Sequence, residues 1–363
     1  MFGCGRGVRI AILVKMKEVQ MSARKNWQRL GAVAISAGLV LVAAACGSDD
    51  ESGPSSDAET RVFSADNGEI TIPVDPQRVV ATGYAVPALI EADASLVGIS
   101  TWERGLDLMS DEDLATYEGI EKIAGETAVS TNYEAIANVR PDLIVIGVPA
   151  PVLSDVDMEQ LCAIAPVVAI GPTVPSAWRE LTRRQMDAAG RTDTYEASRQ
   201  AYEEKAAALK DKYAGVLGSL QFGHVGGYGD FTAGNFMREF AGSWGTNIAQ
   251  DIGVTYYGEV KEKKGGSGDV SEYPSVEEIG SSFAEADVIT YTVGVDGQTD
   301  SEVQYVLDSE LFKNLPAAQA GKVYGLQYTE AATYDSAMLA LDAIDASLAP
   351  LLEPAPSAAP TAS

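Results

Sequence analysis

Aromatic side chains recur just after the apolar runs of this chain, where their flat rings are suited to holding a bulky ligand. Tyr84 and Trp102 each follow a short Val/Ile-rich run, and Arg104 stands beside Trp102. An aromatic ring buries a large area, and its edge or hydroxyl can meet polar ligand atoms. Arg104 could pair with a ligand oxygen or with one of the many surface acids. By the same criterion the remaining candidates for ligand contact are Trp178, Tyr228, Phe231, Tyr291 and Tyr328.

The residue types required for metal binding or covalent catalysis are scarce. His224 is the single histidine of the chain and lies within an apolar, strand-like run, which favours a core or cleft histidine over a metal ligand. A Ser-His-Asp arrangement would need His224, and the sequence contains no Gly-x-Ser-x-Gly turn to carry the serine. We therefore expect no catalytic residue, no resident metal and no cofactor.

The negative charge of the chain limits the kinds of molecule that the protein can bind. The formal net charge is −26, and without residues 1–45 the chain carries 19 basic and 51 acidic residues, a net charge of −32. This excludes nucleic acid as a partner, because phosphate binding requires a basic surface. The excess of acidic residues also disfavours strongly anionic ligands, unless a local cationic pocket offsets the negative electrostatic field of the protein.

The N-terminal region has the pattern of an export signal. Basic residues precede an apolar run from Leu30 to Ala44, which is shorter than the ~20 residues that span a membrane. We predict a signal peptide over residues 1–45, with Met21 as the possible true start. The segment before Cys46 resembles a bacterial lipobox, with Ala43 where leucine is usual, so Cys46 is the predicted lipidation site. The alternative is an ordinary cleavage site with an incidental cysteine.

Strand-like runs alternate with helical patterns along the chain, which is typical of a mainly parallel α/β architecture. Ligands of such folds meet the loops at the carboxyl ends of the strands, where the aromatic candidates lie. The predicted strands are Arg78–Thr82, Ser95–Ile99, Asp142–Gly147 and Pro166–Ile170, followed by Gln221–Val225, Asp287–Thr292 and Gly321–Gly325.

The longest helical pattern separates the two sets of strands. From Thr192 to Tyr213, aromatic and apolar residues recur at spacings of three and four, and Gly215 follows. This predicts two Rossmann-like α/β lobes joined by one long α-helix, with a ligand cleft between the lobes. The predicted divisions are a lipidated tether at 46–60, an N-terminal lobe at 61–175, a connecting segment at 176–214, a C-terminal lobe at 215–352 and a disordered tail at 353–363.

The order of these segments resembles the iron-siderophore and cobalamin class of substrate-binding lipoproteins of bacterial ABC importers. The resemblance covers roughly residues 60–350. It depends on the order and spacing of several short segments, none of them specific alone. They are Arg78–Thr82, Leu96–Ile99, Asn132–Ile146, Trp178, Ser275–Ile279, Ala286–Ile289, Gly321–Tyr324 and Ser336–Leu352.

The resemblance implies a monomeric receptor, tethered to the extracytoplasmic face of the cell membrane by its lipid alone, that captures a ferric siderophore and delivers it to an ABC permease. It also implies that Glu134 and Glu277 dock onto arginines of the permease. A structural alternative exists for this region, because Thr131-x-x-Glu134 and Ser275-x-x-Glu278 both match the helix capping box.

Other ligands and functions remain open. Haem or a cobalamin-type corrinoid would suit the same class of receptor, and a lipid-anchored hydrolase or adhesion protein could share the fold. Among siderophores the acidic chain favours neutral or cationic hydroxamate complexes over trianionic catecholates. Lys122 or Lys261 to Lys264 would weaken that preference if they converged on the cleft.

Overall fold

The computed structural model describes residues 59–227 and 234–353. The predictions for the signal segment, for Cys46, and for the ligand candidates Tyr228 and Phe231 lie outside the described residues. Within the described ranges, no helix combines the length and the apolar character needed to cross a membrane.

All seven predicted strands are confirmed, each within one or two residues at its ends. The described residues also form strands that the sequence pattern did not indicate, among them an N-terminal hairpin of β1 and β2. The strands are β1 Thr60–Ala65, β2 Gly68–Pro73, β3 Val79–Gly83, β4 Leu96–Ser100, β5 Lys122–Ala124, β6 Leu143–Gly147, β7 Val167–Ala169, β8 Phe222–Gly226, β9 Met237–Glu239, β10 Ser271–Glu272, β11 Val288–Thr292 and β12 Val323–Leu326.

Helices cover the sheets and connect most of the strands. They are α1 Ala85–Glu91, α2 Asp111–Gly119, α3 Tyr133–Asn138, α4 Met158–Cys162, α5 Trp178–Ala188, α6 Thr192–Leu217, α7 Asn247–Asp251, α8 Ile279–Ser282, α9 Ser301–Asp308, α10 Glu310–Lys313, α11 Pro316–Gln319 and α12 Tyr334–Leu348. Short 3-10 segments lie at Glu103–Leu108, Ala128–Ser130, Ala150–Asp155, Pro175–Ala177, Gly266–Asp269, Val276–Glu278 and Ala349–Leu352.

Two five-stranded sheets organise the chain. The first has the order β5-β4-β3-β6-β7 with all strands parallel. Every residue of β6 is buried, as expected for a parallel strand covered on both faces. We call this sheet with α1–α4 the N-terminal lobe.

The second sheet is mixed. Its order is β10-β9-β8-β11-β12, in which β8, β11 and β12 are parallel while β9 and β10 run antiparallel to their neighbours. We call this sheet with α7–α12 the C-terminal lobe. The α/β class is therefore confirmed, with parallel strands at the centre of both sheets.

The predicted long helix is confirmed as α6, which extends past Tyr213 and through Gly215 to Leu217. Its start is tied to the N-terminal lobe, because Arg191 contacts Asp75 and Ser95. Its other end is tied to the C-terminal lobe, where the Tyr213 hydroxyl donates to Asp345 at 2.8 Å.

A second helix, α5, precedes α6 and packs against α1 and α6. The chain reverses between α5 and α6 at Gly190, whose φ is +70°. A Cβ at Gly190 would lie 2.9 Å from the Val74 carbonyl oxygen, so the close reversal requires glycine. The connecting segment thus contains two helices that span the lobes.

Candidate functional site

A cleft of about 880 Å³ lies between the two lobes, at the carboxyl ends of the strands. This volume is in the range of sites that enclose a small organic ligand. The walls of the cleft include Tyr84, Trp102, Arg104, Glu126 and Asp155 from the N-terminal lobe, and Trp244 and Lys264 from the C-terminal lobe.

Three aromatic rings meet at the inner end of the cleft. Tyr84 follows β3 directly and stands at the start of α1. Its ring contacts Trp102 edge-on, with centroids 4.8 Å apart, and lies nearly parallel to Trp244 of the opposite lobe, with centroids 6.4 Å apart and an interplanar angle of 8°. Burial raises the pKa of the Tyr84 hydroxyl, which is therefore a hydrogen-bond donor at neutral pH. We call Tyr84, Trp102 and Trp244 the aromatic triad.

Arg104 is held at the edge of the triad. Its Nε donates to Glu126 Oε1 at 2.6 Å, and its guanidinium lies 5.1 Å from the centroid of the Trp102 ring. The backbone N–H of Trp102 donates to the Tyr117 hydroxyl at 3.0 Å, which fixes the loop. The Arg104 charge is thus already balanced by a carboxylate, although 51% of its side chain remains exposed.

The loop that carries Trp244 is anchored by a buried carboxylate. Glu239 accepts hydrogen bonds from the Ser243 hydroxyl at 2.9 Å and from the Gly245 N–H at 2.8 Å. A Cβ at Gly245 would lie 2.0 Å from His224 Nε2, so this close approach requires glycine. Trp244 is therefore presented to the cleft between two fixed neighbours.

His224 belongs to this buried network. Its Nδ1 lies 2.8 Å from the Thr290 hydroxyl and its Nε2 3.2 Å from the Thr292 hydroxyl. Burial lowers the pKa of His224 to about 3 and raises that of Glu239 to about 7. His224 is a neutral, hydrogen-bonded core residue. Across the described ranges, no group of three or more His, Cys, Asp or Glu is placed to hold a metal ion.

The structure brings three of the predicted ligand residues together, namely Tyr84, Trp102 and Arg104. Trp178 is 2% exposed and lies instead in the core, where its indole N–H donates to Asn247 at 2.9 Å. Tyr291 and Tyr328 pack against the hydrophobic clusters of the C-terminal lobe. These three residues are placed where they support the lobes, because their rings fill space between helices and strands.

Trp244 is a wall residue that the sequence pattern did not predict, whereas Lys264 is one of the lysines named above and does reach the cleft. Trp244 follows β9, a three-residue antiparallel strand with no distinctive pattern. A signal was present in the sequence, because Trp244 stands in the glycine-flanked turn from Gly242 to Gly245. Two other lysines named above have partners of their own. Lys122 donates to the Ile120 carbonyl, and Lys261 pairs with Glu278.

The two carboxylates considered for docking are both exposed. Glu134 lies in the first turn of α3, which is capped by Asn132 rather than by Thr131. Glu277 lies in the 3-10 segment that Ser275 caps. Neither carboxylate enters an ion pair with another described residue. Neither is used as a helix cap, because the capping side chains are those of Asn132 and Ser275.

Comparison with known proteins places this geometry in a family. The sequence profile of the periplasmic binding protein family matches residues 79–329. The chain is 27% identical over 307 residues to the iron(3+)-hydroxamate-binding protein FhuD of Bacillus subtilis, covering 82% of this chain and 90% of FhuD. It is 26% identical over 184 residues to the iron(3+)-hydroxamate-binding protein YxeB of the same organism, but this match spans only 53% of YxeB and 49% of this chain.

A solved structure agrees with the sequence matches. The siderophore periplasmic binding protein from the fuscachelin gene cluster of Thermobifida fusca superposes with a TM-score of 0.61 and 28% identity, covering 75% of this chain and 96% of that protein. The mixed α/β fold with its parallel strands and long helix is therefore shared, and the chain belongs to the periplasmic binding protein family.

Proposed function

We propose that this protein is an extracytoplasmic receptor that captures a ferric siderophore of the hydroxamate class and delivers it to an ABC permease. The observation that carries the proposal is the aromatic triad at the inner end of an 880 Å³ cleft. Rings of this kind supply large contact area to a bulky chelate whose iron is already wrapped by its own oxygens. The protein itself contributes no metal ligand in this proposal.

The charges on the cleft wall support a neutral or cationic complex. The basic residues of the cleft wall are Arg104 and Lys264 and its acidic residues are Glu126 and Asp155, so the wall carries no net formal charge. A trianionic catecholate complex would need several arginine or lysine donors to offset the loss of its hydration. The curated relatives FhuD and YxeB, which bind iron hydroxamates by name, support the same class.

Titration with ferric chelates tests the proposal. A neutral or cationic ferric hydroxamate should quench the fluorescence of Trp102 and Trp244 with a Kd below about 1 μM, and a ferric tricatecholate should bind at least roughly tenfold more weakly. N-acetyltryptophanamide titrated with the same coloured chelates corrects for light absorption. Tenfold tighter binding of the catecholate complex would reverse the proposed class.

The same titration separates the alternative functions. Saturable binding of haem or a corrinoid, with no response to any siderophore, would assign one of those ligands instead. Absence of binding across the panel, combined with turnover of a chromogenic ester, would indicate a hydrolase.

Anchoring through a lipid on Cys46 is a separate part of the proposal, supported by the sequence pattern before that residue. Cys46→Ser should release the protein from the membrane fraction or leave uncleaved precursor, because acyl chains contribute about 0.8 kcal/mol per buried methylene. Fractionation and the mass of the mature N-terminal peptide are the measurements. A Cys46→Ser variant that is processed normally and stays membrane-bound would show that Cys46 carries no anchor.

A further inference from the structure

A second, smaller cavity opens beside the cleft, where α1, α2 and the start of α12 meet. It has a volume of about 70 Å³ and shares the aromatic triad and Arg104 with the cleft as common walls. One water needs roughly 15 Å³ of such space, so the cavity can hold the end of a ligand arm. We call it the inner cavity.

Carboxylates dominate its lining. Glu91 of α1, Asp113 of α2, Glu330, and Asp335 of α12 line the inner cavity, whereas Arg104 is the one basic residue in that lining. Arg104 is itself paired with Glu126. Burial, together with the Asp335 charge, raises the pKa of Glu91 to about 8, and burial raises that of Glu330 to about 7 against the opposing effect of Arg104.

One of the two carboxyl oxygens of Glu91 is buried and accepts no hydrogen bond from another described residue. Its Oε2 accepts the Asp335 backbone N–H at 3.3 Å. Its Oε1 is buried and has no hydrogen-bond partner among the described residues. A buried acceptor left unpaired is unfavourable, and a bound donor would offset that cost.

The chemistry of the walls identifies the donor. A primary ammonium group offers three N–H donors to carboxylates, and aromatic faces attract cations. A bare metal ion fits less well, because the described acids are not grouped for metal coordination. The ammonium must belong to a ligand whose bulk lies in the cleft, since the aromatic triad borders both cavities.

We propose that the inner cavity binds the protonated primary amine of a ferric hydroxamate chelate, while the cleft holds its iron-bearing part. This inference rests on the proposed function and adds the ligand's charged arm to it. The ionised Glu91 carboxylate is the principal acceptor, so binding of the ammonium group is coupled to loss of the Glu91 proton. Glu330 and Asp335 add negative charge around the ammonium group.

Two matched chelates test the inference. Ferrioxamine B carries one primary amine, and its N-acetylated form has the same iron centre without the charge. The parent protein should bind the amine form roughly tenfold more tightly, as measured by isothermal titration calorimetry. Glu91→Gln should bring the two affinities within about twofold of each other, chiefly because binding of the amine form becomes weaker.

Glu112→Gln is the control, because Glu112 is exposed on α2 and its removal lowers the overall negative charge by the same amount. The control should retain the parent's preference for the amine form. Glu330→Gln is a second test variant and should reduce that preference, so the test does not depend on the folding of one protein.

The pH dependence has a definite sign. Glu330 and Glu91 lose their protons as the pH rises from 6 to 8.5, while the ligand amine stays charged, so preference for the amine form should increase over that range. Asp335 and Asp113 are the charged groups that act on Glu91. The titratable groups that interact with Glu330 are Arg104, Asp300, Glu239 and Tyr84. The acetylated chelate should show no such increase.

Several results would overturn the inference. Equal binding of the two chelates by the parent protein would exclude an ammonium site, and equal weakening of both by Glu91→Gln would assign Glu91 a structural role. If neither chelate binds, the proposed hydroxamate function fails and this inference fails with it.

Discussion

Reversal of Glu134 and Glu277 to lysine in one protein should reduce uptake of the ferric chelate to background and leave its affinity for the receptor within about threefold. The reason is that charges at the rim of an interface determine partner choice and encounter rate more than the chemistry of a distant pocket. Uptake of radiolabelled iron chelate by cells lacking their own copy of the receptor measures the first quantity, and calorimetry measures the second.

The structure makes these two side chains available for docking. Both are exposed, one on each lobe, and each lies in the first turn of a short helix whose cap is another residue. Lysine at both positions would place like charges opposite the permease arginines that the family resemblance implies. Like-charge contacts across an interface cost several kcal/mol, which is enough to prevent docking.

A matched control is available elsewhere on the surface. Glu159 and Glu302 are also exposed acids in the first turns of helices, α4 of the N-terminal lobe and α9 of the C-terminal lobe. The Glu159→Lys/Glu302→Lys protein has the same net charge as the test protein and should transport normally. Normal transport by the Glu134→Lys/Glu277→Lys protein would remove both residues from the docking surface.

The central strands of both sheets were predictable because burial on two faces leaves continuous apolar runs. β6, for example, reads Leu-Ile-Val-Ile-Gly and is buried throughout. The antiparallel strands β9 and β10 were not predictable, since they are three and two residues long and derive their pairing from neighbouring strands. The requirement for glycine at Gly190 was not predictable either, because the backbone that a Cβ there would meet is that of Val74, which lies far away in sequence.

The candidate site was predictable where a parallel strand places a residue at its carboxyl end, as for Tyr84 after β3 and Trp102 after β4. Tyr291 differs from these residues because it lies within β11 and not after it. Trp178 differs because it begins α5, an amphipathic helix whose packing turns that ring into the core beside Tyr202 and Tyr334. Trp244 enters the site through a turn that a buried carboxylate fixes, and no periodic pattern marks such a turn.

Truncation of the aromatic triad tests whether these rings hold the ligand. Tyr84→Ala and Trp244→Ala should each weaken binding of a ferric hydroxamate roughly thirtyfold, because burial of one such ring contributes about 2 kcal/mol and each 1.4 kcal/mol is tenfold in affinity. Calorimetry is the appropriate measurement, since Trp244→Ala also removes a fluorescent reporter. Tyr84→Phe should keep most of the affinity, because it retains the ring and loses only the hydroxyl donor.

Tyr305→Ala provides the control, because Tyr305 is 60% exposed on α9 and does not line the cleft. The double variant Tyr84→Ala/Trp244→Ala distinguishes two roles for the pair. If both rings contact the ligand independently, their losses should add to about a thousandfold. A smaller combined loss would mean that the rings act as a unit, since Tyr84 stacks on Trp244 across the lobes and each positions the other. Affinity equal to that of the parent would place the chelate elsewhere, and tighter binding would show that the stacked rings block the cleft before the ligand enters.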